Sequence, residues 1–129
     1  MCVPWQTHRK TLLPLIERTA TRNRHGFARQ VDEALCRETA FLFISLDGFV
    51  VLAPVEKHGA LWVNVLFTLA WGEKAIARYQ GDIERLTRQI GGRGIACQTA
   101  VKALAAHLAQ AGYRKTSGAR RIQQWEKRL

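Results

Sequence analysis

An α+β domain, with helices before and after an antiparallel sheet, is the fold class that this sequence of 129 residues predicts. Three observations support it. The first forty residues show helical periodicity, residues 41–70 form β-branched and aromatic runs between turn residues, and the remainder alternates helical stripes with short apolar runs. At this length the chain makes one domain, residues 1–129, in which two N-terminal helices cover the sheet. After the meander we expect a helix, a strand, a helix and a final strand.

Two amphipathic segments open the chain. In "TLLPLIERTATR", Thr11 can cap a helix at its N-terminus, and Pro14 still falls in the first turn, where proline is tolerated. After a break at "NRHGF", the segment "FARQVDEALCRE" places Phe27, Val31 and Leu35 on one face of a second helix. Their apolar faces suit both helices to cover a sheet.

Three strands follow between about residues 41 and 70. The runs "FLFISL" and "FVVLAPV" are joined by Asp47-Gly48, a dipeptide that suits a type I′ hairpin turn because both central positions need positive φ. The segment "EKHGA" makes a second turn, and "LWVNVLFTLA" alternates between two sets of side chains as a strand does. We therefore predict a three-stranded antiparallel meander.

The glycines of "RQIGGRGIACQ" come directly after a helical stripe. Spacings of three and four residues predict one long helix whose apolar side is formed by Ile76, Tyr79, Ile83, Leu86 and Ile90. Gly91 and Gly92 then stand where the C-terminal cap of that helix is expected. On this interpretation the two glycines end the helix.

A strand, a helix and a final strand complete the order. The short apolar run "RGIACQT" fits a strand that enters the core. The segment "AVKALAAHLAQAGYRK" carries a helical stripe of Val101, Leu104 and Leu108 and ends at Gly112. In the tail, "TSGARRIQQWEKRL", Trp125 is an apolar anchor for the last strand.

The charge of the chain is strongly positive and unevenly distributed. Twenty lysines and arginines against ten acidic residues give +10, and residues 100–129 hold seven basic residues and one acidic residue. Such a field favours a polyanion, either nucleic acid or a phosphorylated cofactor. The densest group, which we expect to contact nucleic acid or an acidic partner, is Arg114, Lys115, Arg120 and Arg121. A solvated turn is the alternative interpretation of this group.

Several classes of protein do not fit the sequence. The longest apolar stretch, residues 61–71, is too short to span a bilayer and contains Asn64. The first ten residues lack a signal-peptide pattern, so we expect no export by that route. The three cysteines and four histidines share no metal-ligand spacing, so we predict no metal site.

The order of elements resembles the GNAT superfamily of acetyltransferases. In that family a meander leads through a cofactor-binding turn into a long helix, and a strand, a helix and the last strands follow. The resemblance covers nearly the whole chain and rests on order and spacing. The segments "IERLTRQIGGRGIACQT" and "LAAHLAQAGYRK" look especially like the second half of small GNAT-like proteins of bacteriophages, some of which are virion proteins.

The resemblance implies two registers for the loop that would hold the pyrophosphate of acetyl-CoA. In the first, backbone N–H groups between the third strand and the long helix would face the phosphates. That loop comprises Trp71, Gly72, Glu73 and Lys74. It is degenerate, because it has a single glycine and because its carboxylate repels a diphosphate. In the rival register the glutamine-x-x-glycine-x-glycine pattern of the family falls on Gln89, Gly92 and Gly94.

The catalytic residues that the resemblance implies are missing. The family often uses a glutamate on the central strand as a base, but "LWVNVLFTLA" has no carboxylate and offers only Asn64 and Thr68. The position of the tyrosine that protonates the departing thiolate falls on Leu108. Tyr113, which follows Gly112, matches a structural aromatic residue of the family. We therefore assign no catalytic residue.

The function that we favour on the sequence is a GNAT-fold protein that has lost its cofactor loop, binds no cofactor, and is a non-catalytic structural or interaction component of a bacteriophage particle. Its partners would be other virion proteins or DNA, with no membrane involved. It would occupy the cytoplasm of the host cell and then the particle. One alternative is an active acyl-CoA-dependent N-acetyltransferase with acetyl-CoA as its cofactor, and another is a small basic nucleic-acid-binding module of unrelated fold.

Overall fold

The computed structural model describes residues 2–22, 27–45, 48–70, 75–99, 104–117 and 123–129. Their elements in chain order are β1 (Cys2–Val3), α1 (Trp5–Arg22), α2 (Ala28–Cys36), β2 (Phe41–Ser45), β3 (Gly48–Lys57), β4 (Ala60–Ala70), α3 (Ala75–Gln89), β5 (Gly94–Thr99), α4 (Leu104–Gln110), β6 (Arg114–Ser117) and β7 (Gln123–Arg128). The predicted α+β class and order of elements are confirmed. The structure adds a short first strand and a second C-terminal strand.

The described strands form one sheet in the order β1-β2-β3-β4-β5-β7-β6. Neighbouring strands are antiparallel except β4 and β5, which run parallel. A parallel pair needs a crossover of about a dozen or more residues, and α3 lies in that connection. The predicted meander of β2, β3 and β4 is therefore followed by a crossover through α3 to β5. A second crossover, through α4, leads to β6, which forms a hairpin with β7.

The pairing of β2 with β3 differs from the predicted hairpin. Ser45 pairs with Gly48, so Gly48 belongs to β3 and is not a central residue of the turn. Cross-strand packing explains the difference, because this register places Leu42 opposite Val51, and both side chains are fully buried.

Helix α1 begins six residues before the predicted cap, at Trp5 instead of Thr11. Pro14 therefore lies in the helix interior, where it removes a backbone hydrogen bond. Burial explains why the helix tolerates it, because Trp5, Leu12 and Ile16 all pack in the core. Tertiary packing of one face outweighs the local preference.

A carboxylate on α2 ties the two N-terminal helices together. Asp32 accepts a hydrogen bond from Trp5 Nε1 at 2.8 Å and two from Arg9, at 2.9 and 2.8 Å. The Arg9 hydrogen bond is the main reason why the pKa of Asp32 is lowered to about 2. These contacts fix the start of α1 against the middle of α2.

Each face of the sheet has its own apolar core. The first face packs against α1 and α2, and its buried residues include Ile16, Val31, Leu35, Leu42, Phe49, Val51 and Phe67. The second face packs against α3 and α4, and its buried residues include Val50, Leu52, Val63, Tyr79, Ile83, Ile95, Tyr113 and Trp125. We call them the α1–α2 face and the α3–α4 face. Of the helices in the described ranges, none is both long and apolar enough to cross a membrane.

The C-terminal tail forms a hairpin where we expected a single strand. Trp125 anchors β7 in the core as predicted, and β7 pairs with β5 along its whole length. Strand β6 pairs with the other side of β7 and closes the sheet order. Its sequence, "RKTS", has no apolar alternation, so pattern reasoning could not detect it.

Candidate functional site

Strands β4 and β5 part near the middle of the sheet. They pair at only three positions, and the last of these joins Val65 to Cys97. Beyond that pair β4 continues to residue 70 and β5 to residue 99. We call the space between residues 66–70 and 98–99 the notch.

A β-bulge lies at the point where the strands part. Val51 of β3 pairs with Phe67, whereas the next residue, Leu52, pairs with Val65, so Leu66 is the extra residue on β4. A bulge bends its strand and increases the local twist. The bend explains why β4 leaves β5 here and not at its end.

The notch exposes one backbone edge of β4 inside the sheet. Residues 67–70 pair with β3 on one side, and on the other side the described residues form no ladder with them. A strand edge of this kind can bind an extended ligand that carries amide groups, because N–H and C=O groups alternate along it.

The first cofactor register cannot be placed, since Trp71, Gly72, Glu73 and Lys74 lie outside the described residues. Helix α3 starts at Ala75, directly after these four residues.

The rival register falls on a helix end and a buried strand. Gln89 is the last residue of α3, and Gly91 has a φ of 81°, as at a helix C-terminus. The N–H of Gly92 donates to the Thr87 carbonyl at 2.8 Å, and that of Arg93 donates to Leu61 at 2.7 Å. These donors are therefore already used within the protein. A phosphate-binding role for this register stays a prediction.

Close packing accounts for two glycines of that pattern. A Cβ at Gly92 would lie 2.6 Å from the Thr87 side chain, and a Cβ at Gly94 would lie 2.5 Å from the Trp62 ring. Real Cβ atoms are not found so near to other heavy atoms. Both positions need glycine because a neighbouring side chain occupies the space.

The tyrosine of "AGYRK" belongs to the core. Tyr113 is 5% exposed, and its hydroxyl donates to Gln80 Oε1 at 3.0 Å. Burial is the main reason why its pKa is raised above the ordinary value. Leu108, at the position of the family's acid, packs against the same core. Tyr113 thus holds α3 against the end of α4.

A polar hollow of about 70 Å³ lies on the α1–α2 face, beside the notch. Strands β3 to β7 line it, with Lys57, Asn64, Gln98, Gln124 and Glu126 among its residues. It is far smaller than a typical cofactor pocket, which holds roughly 300–1,000 Å³. Water or the tip of a larger ligand fits it.

Glu126 brings a carboxylate to this hollow that the sequence analysis missed. Its side chain is 14% exposed, and it accepts hydrogen bonds from His58 at 2.9 Å and Lys57 at 3.1 Å. Burial acts to raise the pKa of Glu126, but these two partners outweigh it, and the pKa is lowered. In the sequence, the alternation of polar residues with Trp125 could have indicated that Glu126 lies on the other face of the strand.

His58 reaches that carboxylate from the second hairpin turn of the meander. His58 and Gly59 have φ values of 54° and 73°, as in a two-residue type I′ turn. The imidazole meets the Trp62 ring edge-on at 5.3 Å, and the Arg128 guanidinium lies 5.7 Å from the same ring. These contacts hold the His58-Gly59 turn, β4 and β7 against one another.

The predicted basic group does not occupy one surface. Arg114 lies opposite Glu126, on the α1–α2 face, while Lys115 lies opposite Trp125, on the α3–α4 face. Both are exposed. Arg120 and Arg121 lie outside the described residues. Of the residues that the structure does describe, no group of three could hold a metal ion.

Comparison with solved structures shows a GNAT fold. A GNAT-family acetyltransferase from Listeria monocytogenes matches with a TM-score of 0.68 at 11% identity, over 98% of this chain and 91% of that one. A protein assigned as an acetyltransferase from Staphylococcus aureus matches with a TM-score of 0.60 at 16% identity, over 95% and 93%. One from Agrobacterium tumefaciens matches with a TM-score of 0.57 at 18% identity, over 78% and 86%.

These structural similarities establish the fold alone, because the sequence identities are low. No protein-family model matches the chain, and no protein of curated function matches it. A small nucleic-acid module of unrelated fold is nevertheless excluded, since the meander continues into the parallel pair of β4 and β5.

Proposed function

We propose that this chain is a non-catalytic interaction protein built on the GNAT fold and that it acts as a component of a bacteriophage particle. The observation that carries the proposal is the state of the groups nearest to the acid and base positions. Each of them is apolar, is an amide that does not titrate, or is already engaged in contacts within the fold.

The base position has no free carboxylate in the described residues. Strand β4 carries none, and Asn64 faces the hollow in its place. Glu126 is the carboxylate that lines the hollow, and it is held by a lysine and a histidine. A carboxylate whose pKa is lowered is a weak proton acceptor for an ammonium group.

The acid position is equally unsuited to proton transfer. Leu108 has no proton to give, and the Tyr113 hydroxyl donates to Gln80 inside the core. Its raised pKa makes proton release to a thiolate less favourable. Among the described residues, the acid position and the base position therefore lack a group suited to this proton transfer.

The particle context rests on the segments "IERLTRQIGGRGIACQT" and "LAAHLAQAGYRK", which are similar to those of phage-encoded GNAT-like proteins. The charge of +10 supports a role beside packaged DNA or an acidic virion protein. We accordingly place the protein in the host cytoplasm before assembly and in the particle afterwards. Its detection in purified particles would test this placement, and its absence from them would contradict it.

An acyl-CoA-dependent N-acetyltransferase is the second candidate, and the notch is the observation that favours it. The pantetheine arm of an acyl-CoA carries two amide groups, which suit the open edge of residues 66–70. That backbone would hold the arm, and the thioester would supply the activated acyl group. The open strand edge is thus present, although the described residues at the acid and base positions are unsuited to proton transfer.

Two measurements on the purified chain separate these candidates. The first is the melting temperature with acetyl-CoA at millimolar concentration, since a ligand specific for the folded state must raise it. The second is release of CoA from acetyl-CoA in the presence of primary amines. We expect no amine-dependent release. Amine-dependent release above the buffer rate contradicts the non-catalytic proposal and supports the second candidate.

A further inference from the structure

In the described part of the chain, helices cover only about half of the width of the α1–α2 face. The helices pack on β2, β3 and the distal part of β4, where Leu42, Phe49, Val51 and Phe67 are buried. The other half is polar and includes exposed side chains from three further strands. We call it the open half-face, and it consists of Lys57, Asn64, Gln98, Arg114, Thr116, Gln124, Glu126 and Arg128.

Strand register places these residues side by side. Gln98 pairs directly with Gln124, and Ala96 pairs with both Asn64 and Glu126. Paired residues point to the same side of a sheet, and alternate residues along a strand are about 6.8 Å apart. The three amides therefore lie on neighbouring positions of β4, β5 and β7.

The amide side chains have no partner within the described structure. No described hydrogen bond involves the side-chain amide of Asn64, Gln98 or Gln124, and the two glutamines are exposed. An amide offers two donors and an acceptor in one plane, which matches the edge of a nucleobase. Gln98 and Gln124 lie side by side at the hollow, and Asn64 lies one diagonal position from Gln98. A group of three such amides is suited to the edges of more than one base.

The charge of the open half-face is positive. Lys57, Arg114 and Arg128 outnumber the single carboxylate, Glu126, which forms an ion pair with Lys57 and a hydrogen bond with His58. Arg128 lies over Trp62. Neither its guanidinium nor that of Arg114 forms an ion pair in the described residues, although Arg114 lies opposite Glu126, so both groups are available to phosphates.

The shape of this surface favours a single strand over a duplex. Within the described residues the open half-face is a sheet surface without a helix that could enter a groove. Unpaired bases can lie on such a surface and present their edges, whereas the base edges of a duplex are accessible only through its grooves. An acidic protein would use the arginines but would leave the amides without a specific role.

We propose that the open half-face binds single-stranded nucleic acid, with Arg114 and Arg128 on phosphates and with Asn64, Gln98 and Gln124 on base edges. The inference rests on the proposed function, whose partner class and surface it names. It does not involve the open backbone edge of residues 66–70, although Gln98 also borders the notch. Lys115, on the opposite face of the same strand, has no part in it.

The test is fluorescence anisotropy with labelled DNA and RNA single strands of mixed sequence, titrated with the full chain at several salt concentrations. Arg114→Ala should weaken binding at least threefold and lower the salt slope by about 0.7, the value for one phosphate contact on a single strand. Lys115→Ala is the matched control, because it removes the same charge from the same strand on the other face. It should leave the affinity within about twofold.

Two further variants separate base contacts from charge. The double variant Gln98→Ala/Gln124→Ala should weaken binding about fivefold or more without changing the salt slope, since base contacts release no counterions. Glu126→Gln should strengthen binding, because it removes the one carboxylate of the surface. Melting temperatures of all variants show whether the fold is kept.

Several outcomes would overturn the inference. These are equal losses for Arg114→Ala and Lys115→Ala, duplex or heparin bound as tightly as the single strand, or no effect of the glutamine variant. Binding to DNA alone or to RNA alone would identify the source of the strand and support the inference. Amine-dependent CoA release would overturn the proposed function without changing these binding results, so the two failures are distinguishable.

Discussion

Substitution of Gly94 by alanine separates a packing role for this glycine from a cofactor role. Gly94 opens β5 and lies against the Trp62 ring, three atoms of which would be 2.5, 2.6 and 2.7 Å from an added Cβ. Trp62 is fully buried, and His58 and Arg128 flank its ring. The ring therefore has little room to move away from the new methyl group.

The expected cost follows from this geometry. Over-packing of a core costs typically about 1–3 kcal/mol, and a confined ring places Gly94→Ala at about 2–3 kcal/mol. With an unfolding entropy of about 2.1 cal/mol/K per residue, this corresponds to a fall in melting temperature of about 7–11 °C for a chain of this length. Calorimetry or circular dichroism measures it.

Gly81→Ala is the matched control, because it makes the same chemical change in α3 with nothing within 4 Å of the new Cβ. Alanine in a helix interior is favoured over glycine by about 1 kcal/mol, so this variant should melt a few degrees higher. A melting temperature of Gly94→Ala equal to that of the parent chain, together with loss of any acetyl-CoA-induced shift, would refute the packing argument and favour the rival register.

Three further predictions concern the contacts that surround the site. Gly92→Ala should destabilise the chain by about 1–3 kcal/mol in urea unfolding, because its Cβ would meet Thr87, and an unchanged midpoint would contradict this. Tyr113→Phe should lower the free energy of unfolding by about 1–2 kcal/mol, since the side-chain oxygen Oε1 of Gln80 loses its part-buried donor. Loss of an acetyl-transfer activity without loss of stability would contradict a purely structural tyrosine. The carboxylate of Asp32 has a pKa lowered to about 2, so its stabilisation is present above pH 4 and is lost as the pH falls through 2. Asp32→Asn should remove about 1 kcal/mol at neutral pH after allowance for solvent screening, and stability measured down to pH 2 should show a smaller decline than that of the parent chain.

Much of the fold followed from periodicity. The spacing of the apolar residues between positions 76 and 90 predicted α3 and its end, and the alternation of "LWVNVLFTLA" predicted β4. The predicted start of α1 was wrong because burial of Trp5 and Ile16 outweighs the cost of a proline inside the helix. Strand β6 was missed because an edge strand of polar residues has no pattern to detect.

The candidate site was much less predictable, because it depends on pairing between distant strands. The bulge at Leu66 and the parting of β4 from β5 come from cross-strand register, which a single sequence does not encode locally. Glu126 reaches His58 across 68 positions of the chain. The sequence showed the basic group of the tail through its charge. That Arg114 and Lys115 lie on opposite faces of the sheet could be known only from their pairing with β7.

We propose binding on the open half-face and not along the backbone edge of residues 66–70, and one NMR measurement tests this most directly. Heteronuclear spectra resolve side-chain amides from backbone amides, so a titration with a single-stranded oligonucleotide reports on both regions at once. We expect the side-chain resonances of Gln98 and Gln124 to shift while the backbone resonances of residues 66–70 stay in place. Unmoved side-chain amides, with shifts confined to residues 66–70, would contradict the account.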